Sequence, residues 1–142
     1  FAVPFDEIDL RQAEKAAKMA NIHNFIQTLP AKYDTLVGER GVRLSGGQIQ
    51  RIGIARALYH DPDVLVLDEA TSSLDGLTET SIIEAIRNLL HEKTIILIAH
   101  RISTVKDCDT IHLMENGNIK ESGSYEYLMK NSDEFRKIAK KL

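Results

Sequence analysis

Three side chains able to move a proton or hold a cation stand where two apolar runs stop. Asp68 and Glu69 follow VLVL (64–67), and His100 follows TIILIA (94–99). Neighbouring residues leaving a strand point in different directions. One carboxylate can therefore face a hydrated magnesium ion, which prefers oxygen ligands and keeps several waters. The next can face an attacking water as general base, a role worth roughly 10² to 10⁴ in rate. A histidine on the neighbouring strand can sense or position the same phosphate. These residue types suit phosphoryl transfer, where positioning and electrostatics carry most of the catalysis. Strands also end in polar residues simply because loops are wet, and each group taken alone is read equally well that way.

A second candidate is RLSGGQIQRIGIARAL (43–58), where two glycines sit between Ser45 and Gln48 at the start of a helical pattern. Ser45 and Gln48 have the S-x-x-Q spacing of a capping box. A helix start offers unsatisfied N–H groups and a positive dipole end. Glycines there let phosphate oxygens reach the backbone. In isolation S-G-G-Q is also an ordinary capped helix whose glycines only make a turn.

The elements that must position these groups follow from periodicity. DEIDLRQAEKAAKMANIHNFIQTL (6–29) spaces Leu10, Ala13, Ala17, Ala20 and Phe25 near-helically and is rich in helix formers. Pro30 ends the segment and residues 33–43 read as a loop. Ile49, Ile52, Ala55 and Leu58 continue the helix behind the glycines, and HDPD (60–63) turns the chain. VLVL reads as a strand buried on both faces. Residues 78–91 read as an amphipathic helix with Ile82, Ile83, Ile86, Leu89 and Leu90 on one side. KTIILIAH (93–100) is a second buried strand, so strand, helix and strand form a βαβ unit with parallel strands. Residues 110–123 predict a hairpin around Asn116-Gly117, and the last stretch one or two helices. Ligands of parallel α/β sheets sit beyond the carboxyl ends of the strands, the edge where Asp68, Glu69 and His100 lie.

Bulk composition narrows the classes. The 142 residues are 43% hydrophobic and 27% charged, a globular balance, and the net charge of -3 offers no global basic field for nucleic acid. Cys108 stands alone, which excludes an internal disulfide and a cysteine zinc cluster. No run approaches the roughly 20 apolar residues needed to span a bilayer.

In combination the motifs are specific. LSGGQ (44–48), VLVLDEA (64–70), SSLD (72–75) and His100 resemble, in that order, the signature, Walker B, D-loop and switch histidine of an ABC transporter nucleotide-binding domain. TLVGERG (35–41) resembles the X-loop of the exporter branch, and HRISTV (100–105) its switch region. The resemblance implies an α/β fold. Residues 1–60 would be the ABC α-helical subdomain with X-loop and signature helix, and residues 61–142 the C-terminal part of a RecA-like P-loop NTPase lobe. It implies roles residue by residue. Asp68 would hold magnesium through water, Glu69 would polarise the attacking water, and His100 would meet the γ-phosphate. Asp75 would address the opposite subunit, and Glu39 lies in the segment facing the coupling helices. Ser45, Gly46, Gly47 and Gln48 would close on ATP held by a partner subunit. Ile49 and Ser73 depart from residues common in the family, a basic residue and alanine.

One family motif has no counterpart: G-x-x-x-x-G-K-[ST] occurs nowhere in the 142 residues, and the chain opens on Phe1. That P-loop holds the phosphates. The expectation is therefore a C-terminal fragment of an ATP-driven exporter, itself unable to bind ATP tightly or hydrolyse it. The parent would be an integral membrane protein with this part on the cytoplasmic face. Its partners would be a second nucleotide-binding domain, as homodimer or heterodimer, and transmembrane coupling helices, with no nucleic acid. The fragment itself is expected to self-associate through the strand edge at 94–99. The alternatives are a chromosome-maintenance or DNA-repair ATPase, against which the X-loop-like segment argues, and a silent interaction module, against which the pairing of Glu69 with His100 argues.

Overall fold

The computed structural model describes residues 3–38, 41–68, 83–87, 89, 92–99 and 101–140. The fold is mixed α/β and divides into two compact units, residues Phe1–Ile96 and Leu97–Leu142. Asp75, Glu69, His100 and Glu39 lie outside the described residues, as do Ile82 and Leu90 of the anticipated helix.

In the first unit, Asp9 caps helix α1 (Leu10–Met19) by accepting a 2.8 Å hydrogen bond from the Arg11 N–H. The apolar stripe of α1 is made of Ala16 and Ala17, followed by Ala20, all buried. Short side chains let α1 lie close against α3 (Gly46–Leu58). Leu10, expected on the buried stripe, is exposed instead, because it opens the helix ahead of that contact. The continuous helical pattern of 6–29 is also broken: Asn21 takes the left-handed conformation (φ 53), Ile22 is fully buried, and a separate helix α2 (His23–Thr28) begins. Asparagine tolerates that conformation better than most residues. Leu29 is extended, as a residue before proline must be.

Strand β1 (Val64–Asp68) pairs with β2 (Thr94–Ile98). The Thr94 N–H donates to the Asp63 carbonyl at 2.9 Å, so the strands start side by side and run parallel. The expectation of burial on both faces is corrected here: Leu65 and Leu67 are buried, whereas Val64, Val66, Ile96 and Ile98 are about half exposed. A run of apolar residues hides its alternation, and only the folded strand separates the two faces. Residues 83–87, taken as α4, are helical, as is residue 89, and Ala85, Ile86 and Leu89 are buried.

The turn between α3 and β1 is tied down at several points. Tyr59 Oη accepts from the Asp9 N–H at 2.8 Å. Lys93, with a side chain 6% exposed, donates through Nζ to Asp61 and to the Pro62 carbonyl, both at 2.8 Å. Lys15 of α1 reaches the other Asp61 oxygen at 3.4 Å.

The second unit begins its helices with α5 (Ile102–Val105) and continues to a hairpin of β3 (Ile111–Glu115) and β4 (Asn118–Gly123). Asn116 and Gly117 both have positive φ, 50° and 78°, as a two-residue type I′ turn requires. The register shifts between Leu113 and Met114. Two helices follow, α6 (Tyr125–Asn131) and α7 (Asp133–Lys140). Buried Ser132 separates them and caps the second, its Oγ accepting from the Phe135 N–H at 2.9 Å. Arg136 in turn donates to the Met129 and Lys130 carbonyls at the end of α6. Ile111, Leu128 and Phe135 form the core, with Val105, Tyr125 and Met129 against it. Lys120 bridges Glu115 at 2.9 Å and Glu134 at 2.6 Å, tying the hairpin to α7. These contacts, led by the hydrogen bond to Glu134, raise the Lys120 ammonium well above its ordinary pKa.

Two outcomes are expected of this packing. Leu128→Ala removes a side chain only 1% exposed and should cost about 2–5 kcal/mol, read as a lower urea midpoint at similar slope. The hydrogen bond from Lys93 holds the Asp61 carboxyl below its ordinary value of 3.8. A depressed carboxylate contributes stability above its ordinary pKa and loses it as pH falls through the lowered one. The urea-midpoint difference between wild type and Asp61→Asn should therefore be present at neutral pH and shrink below about pH 4.

Candidate functional site

The helix start at Ser45 has the geometry its sequence announces. Ser45 is extended (φ -68, ψ 160) and precedes the first helical residue, Gly46. Its Oγ accepts from the Gln48 N–H at 3.3 Å, and the Gln48 Oε1 accepts from the Ser45 N–H at 2.8 Å. Both halves of the capping box are thus formed. Four N–H groups at a helix start have no intrahelical acceptor. Here they belong to Ser45, Gly46, Gly47 and Gln48, and the box satisfies the first and last. The donors left by that arithmetic are those of the two glycines, which carry no side chain to shield them. Ser45 and Gly46 are exposed while Gly47 is buried. The arrangement fits an anion, drawn by the exposed backbone at Gly46 and the positive end of a 13-residue helix.

The back of this helix start is held by Arg51, one turn on. Its Nε donates to the Gly47 carbonyl at 3.2 Å and its Nη1 to the Asn21 carbonyl at 3.1 Å. The left-handed Asn21 therefore serves the signature segment as well as the α1–α2 break. The i, i+4 spacing of Gly47 and Arg51 was visible in the sequence, but nothing there indicated that the guanidinium would reach back to residue 21.

The loop ahead of the helix closes on itself. Val42 N–H donates to the Leu36 carbonyl at 2.9 Å, and Gly38 N–H donates to the Val42 carbonyl at 3.2 Å. Val37 and Val42 form an isolated bridge. Gly38 has φ +107, and a Cβ on Gly41 would run into the Leu36 carbonyl, so both positions need glycine. This closure presents Leu36, 69% exposed, and Val37 outward.

Asp68 ends β1 and is exposed. Alternation along the strand puts it on the same face as Val64 and Val66, opposite buried Leu65 and Leu67. Its carboxylate is thus an oxygen donor at the carboxyl end of a parallel strand, suited to a hard cation that keeps its waters. Among the described residues no group of three or more His, Cys, Asp or Glu could enclose a metal ion. Of the residues singled out from sequence, the structure describes Ser45, Gly46, Gly47, Gln48 and Asp68; Glu69, Asp75 and His100 fall outside.

The family profile described as ABC transporter matches residues 3–72. ATP-binding cassette sub-family B member 5 of Mus musculus is 47% identical over 131 residues, which are 92% of this chain and 10% of that protein. The ATP-dependent lipid A-core flippase of Pseudoalteromonas translucida (strain TAC 125) is 46% identical over 134 residues, 94% of this chain and 23% of that protein. A bacterial Atm1-family ABC exporter solved with ATP bound superposes with a TM-score of 0.82 at 42% identity, covering 94% of this chain and 24% of that one. The chain thus spans between about a tenth and a quarter of the length of these relatives. Among the described residues no helix is long and apolar enough to cross a membrane. With an identity above two-fifths along nearly its whole length, the chain belongs to the ABC transporter family, and these relatives include exporters.

Proposed function

We propose that this chain is part of the ATP-binding cassette of an ATP-driven membrane exporter, working on the cytoplasmic face of the membrane. The observation that carries the reading is the helix start at Ser45, whose capping box is complete and is followed by an exposed Gly46 with no side chain in the way of an anion. Residues 1–60 act as the helical subdomain and 61–142 as the C-terminal part of the catalytic lobe. The phosphates that Ser45, Gly46, Gly47 and Gln48 contact belong to ATP anchored on a second nucleotide-binding domain. Closure of the two domains brings the bare helix start to those oxygens.

Asp68 would hold magnesium, which its exposed carboxylate at the strand end suits. The chemistry magnesium would supply there is neutralisation of charge on the phosphate oxygens. Glu69 takes the proton of the attacking water, His100 orients toward the γ-phosphate, and Asp75 meets the opposite subunit. The closed loop 36–42 offers Leu36 and Val37 to the transmembrane coupling helices, with Glu39 in the same segment. The 142 residues contain no P-loop, so the chain by itself has no lysine and glycine cradle for the phosphates. It is inactive alone, and its half-exposed β2 invites pairing with another copy through 94–99.

Three measurements bear on this. Calorimetric titration of the chain with Mg-ATP should give no sub-micromolar affinity; such an affinity would contradict the assignment of the phosphates to a partner. In the full-length protein that carries the chain, Glu69→Gln should lower Mg-ATP turnover by about 10²- to 10⁴-fold while nucleotide still binds. Unchanged turnover removes Glu69 from the base role. Light scattering of the isolated chain at high concentration should show species larger than a monomer, and a strict monomer counts against the strand-edge contact.

A further inference from the structure

The run α3–turn–β1 carries the signature residues at one end and Asp68 at the other. Any change in the angle of the turn moves one against the other. Helix α3 has 13 residues and is therefore about 20 Å long. A rotation of about 5° at its base would displace Ser45 by about 2 Å, and misplacement of about 1 Å can cost about 10²-fold in rate. The turn is accordingly the part of the run where rigidity matters most.

Four of its residues reach four separate anchors. Tyr59 Oη accepts from the Asp9 N–H at the start of α1. The Asp61 carboxylate takes the ammonium groups of Lys93 at 2.8 Å and Lys15 at 3.4 Å. The Pro62 carbonyl takes a second bond from Lys93 at 2.8 Å, and the Asp63 carbonyl takes the Thr94 N–H at 2.9 Å. Asp61 also sits at φ 50, a conformation that side chains other than glycine rarely adopt. Its N–H closes the end of α3 on the Leu58 carbonyl at 2.9 Å. The two lysines differ in weight. Lys15 is mostly exposed, and an exposed pair contributes little. Lys93 is 6% exposed, and it donates to two acceptors of the turn, the Asp61 carboxylate and the Pro62 carbonyl. From these contacts we infer that Asp61 and Lys93 are a positioning pair: they fix the angle between α3 and β1, and so the placement of the Ser45–Gln48 helix start relative to Asp68.

The inference rests on the proposed ATPase reading for its kinetic arm only. The test uses the full-length protein that carries this chain, in a cysteine-free background with spin labels at Arg43→Cys and Glu92→Cys, both exposed positions. Asp61→Asn and Lys93→Met should broaden the label–label distance distribution. They should also lower kcat for Mg-ATP by about tenfold or more, with KM changed less than about twofold. Lys93→Arg, which keeps the charge, should stay near wild type in both, and Lys15→Met should change neither. A folded Asp61→Asn variant with the wild-type distance distribution overturns the inference. Should that variant fail to fold, Asp61→Glu keeps the charge and lengthens the arm, and is expected to shift the mean distance; an unshifted distance overturns it equally. If the wild-type protein has no Mg-ATPase activity, the proposed function falls, while the distance readout still decides the role of the pair.

Discussion

A lysine ammonium taken out of water must be given acceptors. Lys93 finds two at 2.8 Å, a carboxylate and a backbone carbonyl, and both lie in the turn between α3 and β1. Because Thr94, the next residue, opens β2 by donating to Asp63, the same contact sets where β2 lies against β1. The carboxylate also faces α1 through Lys15. The alanine face of α1 then rests on α3. One satisfied buried charge thus sits where α1, the end of α3 and the starts of β1 and β2 come together.

The helix start at Ser45 depends on that frame for its place but not for its form. Its form is local: an S-x-x-Q box, two glycines, and an arginine one turn later. Local features of this kind were legible in the sequence. The capping box followed from spacing, the hairpin from Asn116-Gly117, and the end of α2 from Pro30. The family resemblance was legible for the same reason, since its motifs are short and contiguous.

What escaped was either non-local or hidden by uniform composition. Asp61 and Lys93 are far apart in sequence, and an aspartate beside a proline looks like any turn. The break at Asn21 was masked by strong helix formers on its N-terminal side. The two faces of β1 could not be told apart because all four of its apolar residues belong on either face. Asp68 joins the open face with Val64 and Val66, a fact that periodicity within VLVL could not assign.

The two sheets among the described residues also differ in how they can form. The β3–β4 hairpin closes across a two-residue turn, and the helices that cover it follow at once in the chain. Its loop-closure entropy is small, and such local pairings form on microsecond timescales. β1 and β2 are parallel and must wait for the whole intervening crossover, including α4, before Thr94 can meet Asp63. Parallel pairing is intrinsically slow for that reason. The second unit can therefore be native while β1 still lacks its partner, so the interval before Lys93 reaches Asp61 is when the apolar strands of this chain are most open to misassembly.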